Sequence, residues 1–287
     1  MDGAMQIGVI PAAGHGIAAS PSYISDYVQA AEAARFDSVW VGEHPALPAA
    51  NQTAYPGGSA GLPEPSSVPL PDPLEWLAFA AACTTTLLLG TAVMILPLHP
   101  TTVVAKRVAT LDQVSGGRVR LGVGVGWNRQ EYVACGARWD HRGARLDEMI
   151  PAMRGLWSQA VYGFDGHHVA FEPVFSSPKP AGKRVPVHVG ASAAAGARRA
   201  GRLGDGFMPF ERDLVALGAL VDEMRRAAEE AGRDPSSVEV TTLGSTTPGK
   251  VRDMARLGVS RMLFFVDDPA ALAGLAARAG DAVAAAS

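Results

Sequence analysis

Short apolar runs alternate with longer helical patterns along the chain. The runs read as strands at 5–10, 38–42, 87–96, 118–124, 185–190, 205–210, 238–243 and 261–266. The stretches between them predict helices over about 21–35, 72–84, 100–115, 141–160, 192–203, 211–232, 248–257 and 268–285. Eight strands, each followed by one helix, is the count of a (β/α)8 barrel. The strands are strongly apolar, as a parallel sheet buried on both faces requires. "SGGR" at 115–118 stops a helix with glycine and starts a strand, so lower-face connections are short. The expected fold is an α/β (β/α)8 TIM barrel, with residues 1–287 forming a single domain.

Two stretches break this rhythm. Residues 45–71 follow the second strand, are rich in proline and glycine, and read as a long loop over the barrel mouth. Residues 163–180 precede the fifth strand and read as a short hairpin extension. The 287 residues, 48% of them hydrophobic, are ample for one large core. A net charge of −3 argues against a nucleic-acid surface, which needs a concentrated basic face. Cys83 and Cys135 lie far apart with no metal or redox spacing, so a reduced cytoplasmic setting is expected. No basic segment precedes an apolar run at the N-terminus, and no uninterrupted run reaches about 18 apolar residues. Neither a signal peptide nor a membrane span is expected.

In such a barrel the active site forms from loops at the carboxyl ends of the strands. Glu43 and His44 directly follow the second strand, and a histidine there serves as general acid or base near neutral pH. His15 follows the first strand and lines the rim. His99 and His141 open helices and read as capping or surface residues; His167 and His168 read as surface polar residues; His188, inside the fifth strand, reads as structural. No strand end offers a metal cluster. The fourth strand runs into "GVGVGWNRQEY" at 122–132. Its glycines miss the dinucleotide fingerprint, because Trp127 and Arg129 occupy the positions where a third glycine would fall. Gly124 and Gly126 still allow a ligand close to the backbone, with Val125 between them, and Asn128 and Glu131 add an amide and a carboxylate. Gly190, Ala191 and Ser192 open a helix whose free N–H groups suit an anion. Small residues in the third strand, Gly90, Thr91 and Ala92 before Val93, leave room for a flat ring. Together these describe a phosphorylated flat cofactor. Arg129, Arg198, Arg199 and Arg202 add charge near the rim, and Arg142 and Asp147 in "RGARLDE" read as a structural cap and ion-pair site.

The stretches "FDSVWVGEH" (36–44), 87–132 and "RGARLDE" with "LW" at 156–157 resemble the bacterial luciferase-like monooxygenase superfamily. More narrowly, they resemble its actinobacterial branch of coenzyme F420-dependent oxidoreductases. The resemblance implies a barrel that binds a flavin or 5-deazaflavin at its carboxyl face. It implies that Glu43 touches the cofactor head, that His44 sits by the reacting carbon, and that a cis peptide at Ala92-Val93 lies behind the ring. Thr91, Ala92, Val93, Gly124, Val125, Gly126, Asn128, Glu131, Gly190, Ala191 and Ser192 then become cofactor-binding positions, and His15 and Trp127 substrate-binding ones. Sugar-phosphate dehydrogenases of the superfamily have a glutamate where this chain has Trp127, which points to an apolar or aromatic substrate. The expected protein is a homodimeric oxidoreductase that passes hydride between F420 and a small molecule. The alternatives are an FMN-dependent monooxygenase using reduced flavin and oxygen, and a barrel that binds flavin or deazaflavin without turnover.

Overall fold

The structure, a computed structural model, describes residues 5–11, 19–48 and 70–286. His15 and most of the expected 45–71 loop lie outside these residues.

The described strands are β1 (Gln6–Ile10), β2 (Ser38–Val41), β3 (Leu88–Thr91), β4 (Met94–Ile95), β5 (Val119–Gly124), β6 (Val161–Asp165), β7 (Ala170–Phe175), β8 (Val187–Gly190), β9 (Gly206–Met208), β10 (Glu239–Leu243) and β11 (Val259–Phe265). Parallel pairing runs from β3 through β2, β1, β11, β10, β9 and β8 to β5, and β3 pairs back onto β5 to close the ring. The third barrel strand is split: β3 stops at Thr91, and β4 resumes pairing with β5 at Met94. Counting β3 and β4 as one strand, the barrel has the eight parallel positions that the hydrophobic pattern predicted. The antiparallel pair β6–β7 is the expected hairpin extension.

The helices are α1 (Pro21–Ala33), α2 (Pro73–Cys83), α3 (Thr101–Val114), α4 (Arg129–Ala134), α5 (Arg142–Ser158), α6 (Ala194–Leu203), α7 (Leu214–Glu230), α8 (Pro248–Arg256) and α9 (Leu272–Ala284). The sequence reading missed only α4, a six-residue helix in the loop after β5, too short to show helical periodicity. The main core lies between sheet and helices, where Val39, Leu89, Leu121 and Val187 of the strands meet Leu77, Val104, Met149 and Met153 of the helices. No helix among the described residues is long and apolar enough to cross a membrane.

Two polar anchors hold the lower face. Arg118 donates to the carbonyls of Ala81, Thr84, Leu87 and Ser115 and to the Thr84 hydroxyl. One carboxylate oxygen of Glu32 accepts from the N–H groups of Thr85, Thr86 and Leu87. These backbone donations outweigh the opposing effect of burial and hold the Glu32 carboxyl down at about 2. The turn between α2 and β3 is therefore tied down by side chains as well as by its own backbone.

Candidate active site

A second apolar cluster sits at the carboxyl end of the barrel. Ile10, Trp40, Met208 and Leu263 are buried there, with half-buried Ala92, Val93 and Phe210 against them. The break between β3 and β4 supplies two of these residues. The Ala92-Val93 bond is a cis peptide, as the resemblance implied. The Ala92 N–H donates to the Val41 carbonyl at 2.8 Å, which fixes the break beside the end of β2. Thr91 is buried, and its hydroxyl donates to the Gly122 carbonyl at 2.6 Å.

The small residues that looked like space for a ligand are largely filled by the chain itself. A Cβ on Gly90 would collide with the Trp40 indole, so the flat ring at that height is this protein's own tryptophan. A Cβ on Gly124 would lie 2.6 Å from a Val93 methyl, and one on Gly190 would strike the other methyl. Gly126 has φ +66°, and a Cβ there would also lie 2.8 Å from the Ile95 side chain. Gly124 thus makes room for Val93, and Gly126, just past the strand, for Ile95 and a left-handed turn.

Glu43 and His44 leave β2 in different directions. Glu43 is buried, accepts from the Ile95 N–H at 2.5 Å, and meets His99 Nε2 at 2.8 Å. Both of its oxygens are engaged inside the chain, where the sequence reading gave it the cofactor head. The pairing of His99 was missed: its side chain partners Glu43 rather than capping a helix, and its carbonyl accepts from Arg145 at 3.2 Å. Nothing in the sequence links positions 43 and 99 except the fold. His44 remains half-buried, with 15% of its side chain exposed, and its Nδ1 lies 3.2 Å from each oxygen of Glu131. Among the described residues its Nε2 makes no hydrogen bond. Trp127 stands edge-on to the imidazole, ring centroids 6.0 Å apart.

Helix α4 brings these groups together. The Asn128 side chain caps it by accepting from the Gln130 N–H at 2.9 Å, so the amide expected to face a cofactor tail carries a structural bond. The Tyr132 hydroxyl donates to the Val125 carbonyl at 2.7 Å, and burial raises its pKa well above the usual phenol value. Glu131, also buried, is the partner of His44.

The remaining expected sites lie around this centre. Helix α6 starts at Ala194, later than the sequence suggested, and the Ala191 N–H is already spent on the Met208 carbonyl at 3.3 Å. Ser192 is exposed, just ahead of the helix. Arg199 and Arg202 pair with Asp147, and Arg198 with Glu223, so these charges serve helix–helix contacts. Arg142 lies over the Trp139 ring at 3.6 Å rather than pairing with Asp147. His141 stacks on His168 at the hairpin. His188 is fully buried between Trp40 and Gly206, as a structural residue should be.

The arrangement suits a planar, largely apolar ring: an apolar floor, a half-buried histidine held by a carboxylate at its edge, and a helix start beyond. Comparison with known proteins bears on this shape. The luciferase-like monooxygenase family profile matches residues 5–285. An uncharacterized protein of Mycobacterium tuberculosis is 37% identical over 246 residues, covering 84% of this chain and 86% of its own. An F420-dependent glucose-6-phosphate dehydrogenase of Nakamurella multipartita is 34% identical over 220 residues, 74% of this chain and 60% of its own. A solved F420-dependent secondary alcohol dehydrogenase, in complex with an F420-acetone adduct, is 25% identical with a TM-score of 0.68, over 98% of this chain and 84% of its own. An FMNH2-dependent dimethylsulfone monooxygenase of Pseudomonas fluorescens is 35% identical over 127 residues, 43% of this chain and 35% of its own. A profile match over nearly the full length, on a closed eight-stranded barrel, shows that this chain belongs to the luciferase-like monooxygenase family.

Proposed function

We propose that this chain is an oxidoreductase that moves hydride between coenzyme F420 and a small apolar or aromatic substrate. The observation that carries this reading is the half-buried apolar floor of Ala92, Val93 and Phe210 at the carboxyl end of the barrel, the end at which half-buried His44 follows β2. When bound, F420 supplies a deazaflavin carbon that gives or takes a hydride, and the protein supplies position and electrostatics. Ala92 and Val93 back the ring, and Thr91 holds their strand end against β5 through the Gly122 carbonyl. Exposed N–H groups ahead of and within the first turn of α6, at Ser192 to Ala195, suit the tail phosphate. His44 exchanges one proton with the substrate at Nε2. Trp127, edge-on to the His44 ring, adds apolar surface beside it, which favours substrates without charge.

Parallel titrations with F420 and FMN test the cofactor. Tighter binding of F420, followed by absorbance changes of the deazaflavin with a panel of small alcohols, ketones and aromatic compounds, supports the reading. Tighter binding of FMN, with product formed only from reduced flavin and oxygen, replaces it with the monooxygenase alternative. Binding without turnover on any substrate class leaves a carrier.

A further inference from the structure

We propose that Glu131 is the positioning residue for His44, fixing the imidazole as the Nδ1–H tautomer so that Nε2 is the basic nitrogen at the barrel mouth. The geometry carries the first half. Nδ1 lies the same 3.2 Å from both Glu131 oxygens. An ionised carboxylate has acceptors only, so in this pair Nδ1 carries the hydrogen and Glu131 accepts it. In neutral imidazole the other nitrogen is then unprotonated. Glu131 is 1% exposed. Water therefore competes little for its oxygens, and a buried carboxylate without its donor is costly.

The local sequence places the carboxylate there. "NRQE" at 128–131 has the pattern of a helix cap with Glu at the third helical position. In the usual capping box that Glu bonds back to the cap residue. Here it sits on the one-turn helix behind Trp127 and reaches 87 residues back along the chain to His44. The Asn128 cap fixes the helix, the helix fixes Glu131, and Glu131 fixes the ring.

The chemical consequence rests on the proposed function. When an alcohol substrate is oxidised, its O–H bond would break and the proton would form a new N–H bond at Nε2, while a bound F420 would supply the acceptor for the hydride. Nδ1 keeps its proton throughout. The Glu131 carboxylate, against Nδ1, offsets the imidazolium charge. The reverse direction returns the same proton.

The test has a readout independent of cofactor and turnover. 15N-histidine NMR of the cofactor-free protein, with the His44 signal assigned from a His44→Gln variant, reports the tautomer directly. We expect Nδ1–H in the wild type, the same tautomer in Glu131→Gln, whose amide oxygen still accepts, and a shift toward Nε2–H in Glu131→Ala. In turnover, Glu131→Ala should lose less than the roughly 10²–10⁴-fold expected of His44→Ala, and the double variant no more than His44→Ala alone. Wild-type protein with Nε2–H overturns the proposal even if Glu131→Ala does not fold. An unchanged tautomer in folded Glu131→Ala, or additive losses in the double variant, overturns it too. The expected tautomers in a protein that F420 fails to bind would support the pair and sink the cofactor reading instead.

Discussion

At the scale of single residues, two histidines have opposite fates. His44 is anchored at one nitrogen and only partly buried, so His44→Ala should lower turnover by about 10²–10⁴-fold while leaving affinity for the proposed F420 within a few fold. Steady-state kinetics and a binding titration on the same variant separate the roles, and loss of affinity alone would make His44 a binding residue. His188 is buried beside Trp40, with Glu239, Arg261, Arg120 and Asp205 as its charged surroundings. Burial outweighs the pull of Glu239 and pushes its pKa from 6.5 to about 4. Between those values the unfolded chain binds a proton that the folded chain refuses. The stabilisation is complete above about pH 6.5 and is lost as pH falls toward 4, to a total on the order of 3 kcal/mol. Glu32, whose carboxyl is held at about 2, loses its contribution only below about pH 4.5, so it does not mask this window. Urea denaturation from pH 7 to pH 5 should therefore show falling stability in wild type and a flatter profile in His188→Leu. Equal slopes would assign the acid loss to other groups.

At the scale of elements, the break in the third barrel strand organises the site. Thr91 ends β3 against Gly122, Ala92 and Val93 turn into the mouth, and Ile95 in β4 donates to Glu43. A Cβ on Gly122 would fall on the Thr91 carbonyl oxygen, a backbone atom that cannot swing aside. Gly122→Ala should therefore cost about 1–3 kcal/mol or more and push β3 and β5 apart. A chemical melt reads the stability loss, and weakened F420 binding in whatever protein remains folded reads the displaced floor. Unchanged stability would mean that the strands separate freely here. Helix α4 shows why short elements are hard to read from sequence. Its cap signal, Asn128 with Glu131 three residues on, is present, but six residues carry no apolar stripe, and nothing local in the sequence links the carboxylate to His44.

At the scale of the whole molecule, stability and chemistry separate between the two ends of the barrel, as in other barrels of this class. Arg118 gathers five acceptors from the α2–β3 and α3–β5 connections at the lower end, and burial lowers its pKa without removing its charge. Arg118→Ala should cost about 2–4 kcal/mol, since several buried carbonyls lose a charged donor together. It should leave the F420 dissociation constant of the folded protein unchanged, and a matched loss of affinity would show that the two ends are coupled. By itself the sequence determined the eight barrel strands, eight of the described helices, the hairpin extension at 163–180 and the place of His44 after β2. Each of these is a local pattern, and hydrophobic period and chain order suffice to locate it. The Ala92-Val93 break was expected from the family resemblance alone. Only the tertiary structure decided what each polar group answers to. Glu43 faces His99 and Ile95, Glu131 faces His44, and Gly124 and Gly126 make room for Val93, Ile95 and a turn. Partners 56 and 87 residues apart meet because the sheet closes on itself, and a closed ring of strands leaves no trace of those meetings in the order of the residues.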